Sequence, residues 1–159
     1  MGRVLVAGIG NIFLGDDGFG VEVVQRLRRE PPVGAVDVAD FGIRGIHLAY
    51  ELADGKYDAA ILVDAVSRGG EPGTLYTLEA EADPEIAAEA ADAHSLTPAT
   101  VLAWLRHTGA SCRVIVVGCE PASLEETMAL SPTVAGSVDE AVRLVRDIVA
   151  ELTGPVPCA

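Results

Sequence analysis

Three side chains in this sequence have the chemistry to hold a metal ion together: Asp17, Asp64 and His94. Two carboxylates and one imidazole suit a borderline divalent cation such as nickel or zinc, whereas magnesium and calcium favour an all-oxygen shell. The three residues are far apart in the sequence, so only the fold can bring them together. A shared metal site is therefore a hypothesis that depends on where the secondary-structure elements place each residue.

Each of these residues also has a simpler explanation. Asp16 or Asp17 can cap the helix that follows, Asp64 can end a strand, and His94 can lie in a surface loop. The sequence alone leaves these alternatives open.

The stretch GIGNIFLGDDGFG, from Gly8 to Gly20, looks at first like a phosphate-binding turn. Two adjacent carboxylates, Asp16 and Asp17, would repel an anion there, so the expected ligand is not a phosphate. The dinucleotide fingerprint also needs a third glycine where this chain has Phe13. Because Asp40 could imitate the ribose-binding acid, a Rossmann-like nucleotide-binding module remains as a weaker alternative.

The elements that must position these residues alternate between strands and helices. Short apolar runs predict five strands: RVLVAGIG, AVDVADFG, YDAAILVDAV, GTLYTLEA, for which an antiparallel edge position is one option, and CRVIVVGCE. Helical periodicity or capping signals predict helices in GVEVVQRLRRE, GIHLAYELADG, SLTPATVLAWLRHTG and TVAGSVDEAVRLVRDIVAELTG. In the third helix, Ser95 or Thr97 is the expected N-cap and Gly109 follows the end. The segment EADPEIAAEAADAH is expected to be a loop with one helical turn.

This alternation predicts an α/β fold, a three-layer α/β/α sandwich around a mostly parallel sheet of about five strands. Residues 1–153 are expected to form a single domain, and residues 154–159 a flexible C-terminal tail. Ligands of such sheets collect beyond the carboxyl ends of the strands. Asp17, Asp64 and His94 all fall near that edge.

Composition narrows the classes of function. The 24 acidic residues against 11 Lys and Arg give a net charge of −13, which repels nucleic acid and anionic membranes and attracts cations. No apolar run approaches the length of a membrane span. Three cysteines without a metal-finger spacing fit reduced thiols and a cytoplasmic location. Cys119 could be a nucleophile, but a cysteine beside an apolar strand is more typical of a core.

The ordered set of motifs resembles the [NiFe]-hydrogenase maturation endopeptidases, which remove a C-terminal extension from the hydrogenase large subunit after nickel insertion. The resemblance spans nearly the whole chain. It is carried by GIGNIFLGDDGFGVEVV, DFGIRGIHL, ILVDAV, the isolated His94, and VGCEPASL followed by ALSPTV.

The resemblance implies a cytoplasmic aspartyl-type endopeptidase whose partner is the hydrogenase large-subunit precursor. It assigns metal contact to Asp17, Asp64 and His94, and catalysis to Asp17 and Asp64. The supporting residues around them are Asn11, Asp16, Asp40 and His47. Nickel is expected to arrive with the substrate, with zinc or cadmium as substitutes in vitro. The alternative is a non-catalytic, metal-dependent binding module or chaperone for the same precursor.

Overall fold

The structure is a computed structural model that describes residues 2–80, 97–109 and 111–154. Its strands are β1 (Val4–Ile9), β2 (Val36–Gly42), β3 (Ala59–Ala65), β4 (Leu75–Glu79) and β5 (Arg113–Cys119). Its helices are α1 (Phe19–Arg29), α2 (Gly45–Ala53), α3 (Pro98–Thr108), α4 (Pro132–Ala135) and α5 (Val138–Thr153), with a 3₁₀ turn at Gly15–Gly18 before α1. The predicted loop at 81–94 lies outside the described residues, as does the predicted tail beyond Gly154.

The five strands form one sheet in the order β2-β1-β3-β5-β4. The first four of these run parallel, and β4 pairs antiparallel with β5 at the edge. The mostly parallel sheet and the antiparallel edge option for GTLYTLEA are therefore confirmed. The carboxyl ends of β1, β2, β3 and β5 meet at one edge of the sheet.

Alternating side chains of the central strands enter two separate cores. In β1, Val4 and Val6 pack with α1 and α5 on one face, whereas Leu5 and Ala7 pack with α2 and α3 on the other. Burying a Val or Leu side chain contributes about 1.5–3 kcal/mol, which holds both helix layers onto the sheet. The predicted three-layer α/β/α sandwich is confirmed. No helix within the described residues has the length and apolar character needed to cross a membrane.

Helix α3 begins where the capping signal predicted. The Thr97 side chain accepts a hydrogen bond from the N–H of Thr100, whose hydroxyl in turn accepts one from the N–H of Thr97. Gly109 ends the helix in the left-handed region at φ 73°. Of the two proposed N-caps, Thr97 is the one observed.

The long C-terminal helix predicted over TVAGSVDEAVRLVRDIVAELTG is interrupted. The short α4 ends at Ala135, and α5 begins only at Val138. The break at Gly136 and Ser137 coincides with a tertiary contact, in which the Ser137 hydroxyl donates a 2.7 Å hydrogen bond to the carbonyl of Gly73 in the loop before β4. Helical periodicity does not register such a contact.

Candidate active site

Gly10 lies where the turn after β1 meets the end of β3. Its φ is +132°, and a Cβ built on it would lie 2.0 Å from the carbonyl oxygen of Asp17 and 3.3 Å from Oδ1 of Asp64. Only glycine leaves room for so close a backbone approach at this φ. This contact brings the turn that carries Asp17 beside the carboxylate of Asp64.

The Asp17 carboxylate is half-buried and is oriented by the backbone. Its Oδ2 accepts a hydrogen bond from the N–H of Asn11 at 2.7 Å. The Asn11 side chain shapes the same turn, because its Oδ1 accepts the N–H of Phe13 at 2.9 Å. Asn11 thus fixes both the turn and the acid that the turn presents.

Asp64 is buried, with 4% of its surface exposed, near the end of β3. It lies opposite Gly118 of β5, and its Oδ1 accepts the N–H of Ala65 at 2.8 Å. The structure therefore brings Asp17 and Asp64 to one edge of the sheet, as the parallel topology predicted.

His94, the third predicted metal ligand, lies outside the described residues. Within residues 2–80, 97–109 and 111–154, no group of three or more His, Cys, Asp or Glu side chains is placed to hold a metal ion. The assignment of a metal to Asp17, Asp64 and His94 stays a prediction.

Asp16, next to Asp17, has a completely buried side chain that fastens a distant loop. Its Oδ2 accepts the N–H groups of Ala122 and Ser123 at 2.8 and 3.0 Å and the hydroxyl of Ser131 at 2.9 Å. Its Oδ1 accepts the N–H of Ser131 at 2.7 Å. Burial by itself raises the pKa of Asp16, but the hydrogen bonds from Ser131, Ser123 and Ala122 outweigh it and leave that pKa lowered.

Backbone hydrogen bonds complete this connection between the acid-bearing turn and the loop after β5. The N–H of Gly15 donates to the carbonyl of Thr127 at 2.8 Å, and the N–H of Thr127 donates to the carbonyl of Phe13 at 3.0 Å. Sequence reasoning included VGCEPASL and ALSPTV in the resemblance but gave Ser131 no role. In the sequence, a serine directly before a proline is typical of a helix start, and Ser131 is indeed the N-cap of α4.

Asp40 and His47 lie around the loop between β2 and α2. Asp40 Oδ1 accepts the N–H of Gly42 at 2.8 Å, and the Gly42 carbonyl accepts the N–H of Gly10 at 2.9 Å. Asp40 therefore shapes the turn that flanks Gly10. His47 has an exposed side chain in the first turn of α2.

Glu120 is a buried carboxylate that sequence reasoning did not single out. It accepts the N–H groups of Arg68 and Gly70 at 2.8 and 2.9 Å and the hydroxyl of Tyr76 at 2.9 Å. Burial raises its pKa, but these hydrogen bonds outweigh burial and leave the pKa lowered. Glu120 holds the loop after β3 against β4. In the sequence, only its position directly after the apolar run VIVVGC indicated a role for it.

The two described cysteines do not have the properties of nucleophiles. Cys112 and Cys119 are buried, and burial is the main cause that raises the pKa of each thiol to about 11. A thiol of that pKa is protonated at neutral pH. The core interpretation of Cys119 fits this environment.

Comparison with known proteins identifies the family to which this chain belongs. The family model described as hydrogenase maturation protease matches residues 21–148. The chain belongs to this family. It is therefore a peptidase, and the nucleotide-binding alternative drawn from the opening glycines is wrong.

Relatives of this maturation protease agree in sequence and in fold. The hydrogenase 2 maturation protease of Escherichia coli is 36% identical over 146 residues, which cover 90% of this chain and 88% of that protein. The solved structure of the hydrogenase maturating endopeptidase HybD from E. coli superposes with a TM-score of 0.79 at 33% identity, covering 94% of this chain and 93% of that one. For the [NiFe] hydrogenase maturation protease HycI from Thermococcus kodakarensis the TM-score is 0.76 at 26% identity, covering 92% of each chain.

Proposed function

We propose that this protein is the cytoplasmic endopeptidase that removes the C-terminal extension of a nickel-loaded [NiFe]-hydrogenase large-subunit precursor. The observation that carries the proposal is that the backbone of Asp17 and the carboxylate of Asp64 both approach Gly10, at the edge of the sheet where ligands of this fold collect. The family match, and the names of the E. coli and T. kodakarensis relatives, support a hydrogenase precursor as the substrate.

Nickel enters this proposal as part of the substrate. Asp17 and Asp64 offer two carboxylates, and His94 would add an imidazole, a donor set that suits nickel and also zinc or cadmium. Two carboxylates at one edge of the sheet make a cation between them favourable. The net charge of −13 attracts such a cation from a distance. The nickel already held by the precursor is thus a recognition handle that places the bond to be cut.

The acids are placed for different tasks. Asp17 is half-buried and turned by the N–H of Asn11, so a substrate can reach it, and a carboxylate in that position can accept a proton from the attacking water. Asp64 is buried in β3 and is suited to hold the substrate rather than to exchange with solvent. This aspartyl-type assignment needs no thiol, in agreement with the buried Cys119.

The proposal is tested by following the intact mass of a purified nickel-loaded precursor after incubation with the protein. We expect the mass to fall by that of the C-terminal extension, leaving one new C-terminus. Cys119→Ala is the control for a thiol mechanism and should process the precursor at the wild-type rate. Tight binding without any change in mass would instead support the chaperone alternative.

A further inference from the structure

We propose that four exposed apolar side chains beside the acid pair form the docking surface for the hydrogenase precursor. This docking surface consists of Ile12, Phe13, Leu124 and Met128, whose exposed fractions are 39%, 59%, 48% and 69%. It extends the proposed function by naming what the precursor contacts in addition to Asp17 and Asp64. Large apolar side chains grouped on a surface are typical of protein interaction sites.

The docking surface is continuous with the candidate active site. Ile12 and Met128 line one pocket of about 190 Å³ together with Gly15 and Gly18. These two glycines bound the 3₁₀ turn that carries Asp16 and Asp17. The docking surface therefore adjoins the turn that presents Asp17.

Two segments that are distant in the sequence build the docking surface. Ile12 and Phe13 follow β1, whereas Leu124 and Met128 follow β5. The N–H of Asp16 donates to the carbonyl of Ser123 at 3.0 Å, directly before Leu124. The N–H of Thr127, directly before Met128, donates to the carbonyl of Phe13 at 3.0 Å.

These hydrogen bonds hold the two segments together without a partner. The buried carboxylate of Asp16 reinforces them with its bonds to Ala122, Ser123 and Ser131. A surface assembled in advance loses little conformational entropy on binding. The free energy of apolar contact at this surface therefore contributes to binding affinity.

The charge of the protein indicates what kind of segment the docking surface takes. In a chain of net charge −13, the four apolar side chains flank the turn that carries Asp17, and exposed Glu125 and Glu126 lie between Leu124 and Met128. The surface therefore offers apolar contact next to acidic groups that attract a cation. The matching partner presents apolar side chains next to a bound cation. The precursor of the proposed function carries the cation, and we expect it to present apolar side chains beside the bond to be cut.

The test compares the double variant Phe13→Ser, Met128→Ser with wild type in steady-state cleavage of nickel-loaded precursor. Burial of two such side chains predicts a KM at least about tenfold higher, with kcat within about twofold. Exposed Ser substitutions should leave the melting temperature nearly unchanged. The matched control is Val33→Ser, because Val33 is 95% exposed in the loop before β2, at the opposite edge of the sheet. Its KM should equal that of wild type.

The outcomes separate the docking surface from the proposed function. If wild type cleaves the precursor and the double variant has the wild-type KM, the docking proposal is overturned and the proposed function stands. If wild type does not cleave, the proposed function fails, and the docking proposal is judged by calorimetric Kd for the same precursor. An unchanged Kd in the double variant overturns it. A wild-type dimer that the substitutions dissociate without changing precursor affinity would assign the surface to a second copy of the chain and also overturn the proposal.

Discussion

The backbone N–H of Asn11 donates a 2.7 Å hydrogen bond to Oδ2 of Asp17. The turn after β1 therefore sets the direction of the carboxylate that we assign to the reaction. A neutral amide oxygen can accept the same hydrogen bond, so charge and orientation at residue 17 can be separated experimentally.

We expect Asp17→Asn to lower precursor processing by at least about 100-fold, because the amide keeps the shape of the side chain but cannot act as a base. The free energy of unfolding should change by less than about 0.5 kcal/mol, since the acceptor for Asn11 is retained. Processing rates and urea denaturation measure the two quantities. Normal processing by Asp17→Asn would show that the acid is wrongly assigned.

Asp16→Asn is the matched control variant for Asp17→Asn. It should mainly lower the stability of the protein, whereas Asp17→Asn should mainly lower processing. The new NH₂ group would face a backbone or hydroxyl donor around the buried side chain, so we expect a loss of about 2–4 kcal/mol in the free energy of unfolding. Because the carboxylate at Asp17 remains, folded Asp16→Asn should retain more processing than Asp17→Asn. The assignment of Asp16 to structure would be contradicted by an unchanged urea midpoint.

The sheet was predictable from the sequence because its strands have local signals. AAILV is a short apolar run buried on both faces, and GTLYTLEA is a short run of mixed apolar and polar residues, which suits an edge strand. At Gly10, the glycine-rich sequence indicated a tight turn but not which atom approaches the glycine. The physical reason for the glycine is the position of the Asp17 carbonyl in the folded turn, which the sequence does not show.

The different environments of Asp16 and Asp17 could not be predicted from the sequence around them. The two residues are adjacent and chemically identical, and what separates them is the loop after β5, more than 100 residues away in the sequence. The same holds for Glu120, whose partners come from the loop after β3 and from β4. Long-range hydrogen bonds of this kind produce no periodic pattern in the sequence from which they could be predicted.

Gly10→Ala tests the close approach of Gly10 to the Asp17 carbonyl within the turn after β1. Gly34, at φ +114° with no atom within 4 Å of a Cβ built on it, is the control for backbone strain alone. We expect Gly34→Ala to cost about 1–2 kcal/mol, and Gly10→Ala to cost about 1–3 kcal/mol more because the Asp17 carbonyl must move. Gly10→Ala should also lose processing. Equal stability of the two variants would contradict the crowded geometry at Gly10.

Glu120 predicts a pH dependence of stability. Its pKa is lowered in the folded protein, so its contribution is fully present above the unfolded-state value of about 4.3 and is lost as pH falls through the folded pKa. Glu120→Gln should therefore be destabilised by about 1–3 kcal/mol at pH 7, and by progressively less below about pH 4. Urea denaturation of both proteins from pH 7 to pH 3 measures this difference. A pH-independent gap would refute the charged hydrogen-bond network.

Metal binding by the isolated protein tests the proposed ligand set. At a nickel concentration near 100 times Kd, binding adds about 2.7 kcal/mol, which raises the melting temperature by roughly 5–10 °C for a chain of this size. Zinc and cadmium should act in the same direction. Thermal scans of His94→Ala should show a much smaller shift. An undiminished shift in that variant would remove His94 from the site.

The central claim is that the protease recognises nickel carried by its substrate. The most direct measurement follows the intact mass of three proteins incubated separately with the purified enzyme: nickel-loaded precursor, metal-free precursor and an unrelated unfolded protein. We predict loss of the C-terminal extension from the nickel-loaded precursor alone, because the metal-free precursor lacks the cation that we propose Asp17 and Asp64 bind. Efficient cleavage of the metal-free precursor or of the unrelated protein would contradict the claim.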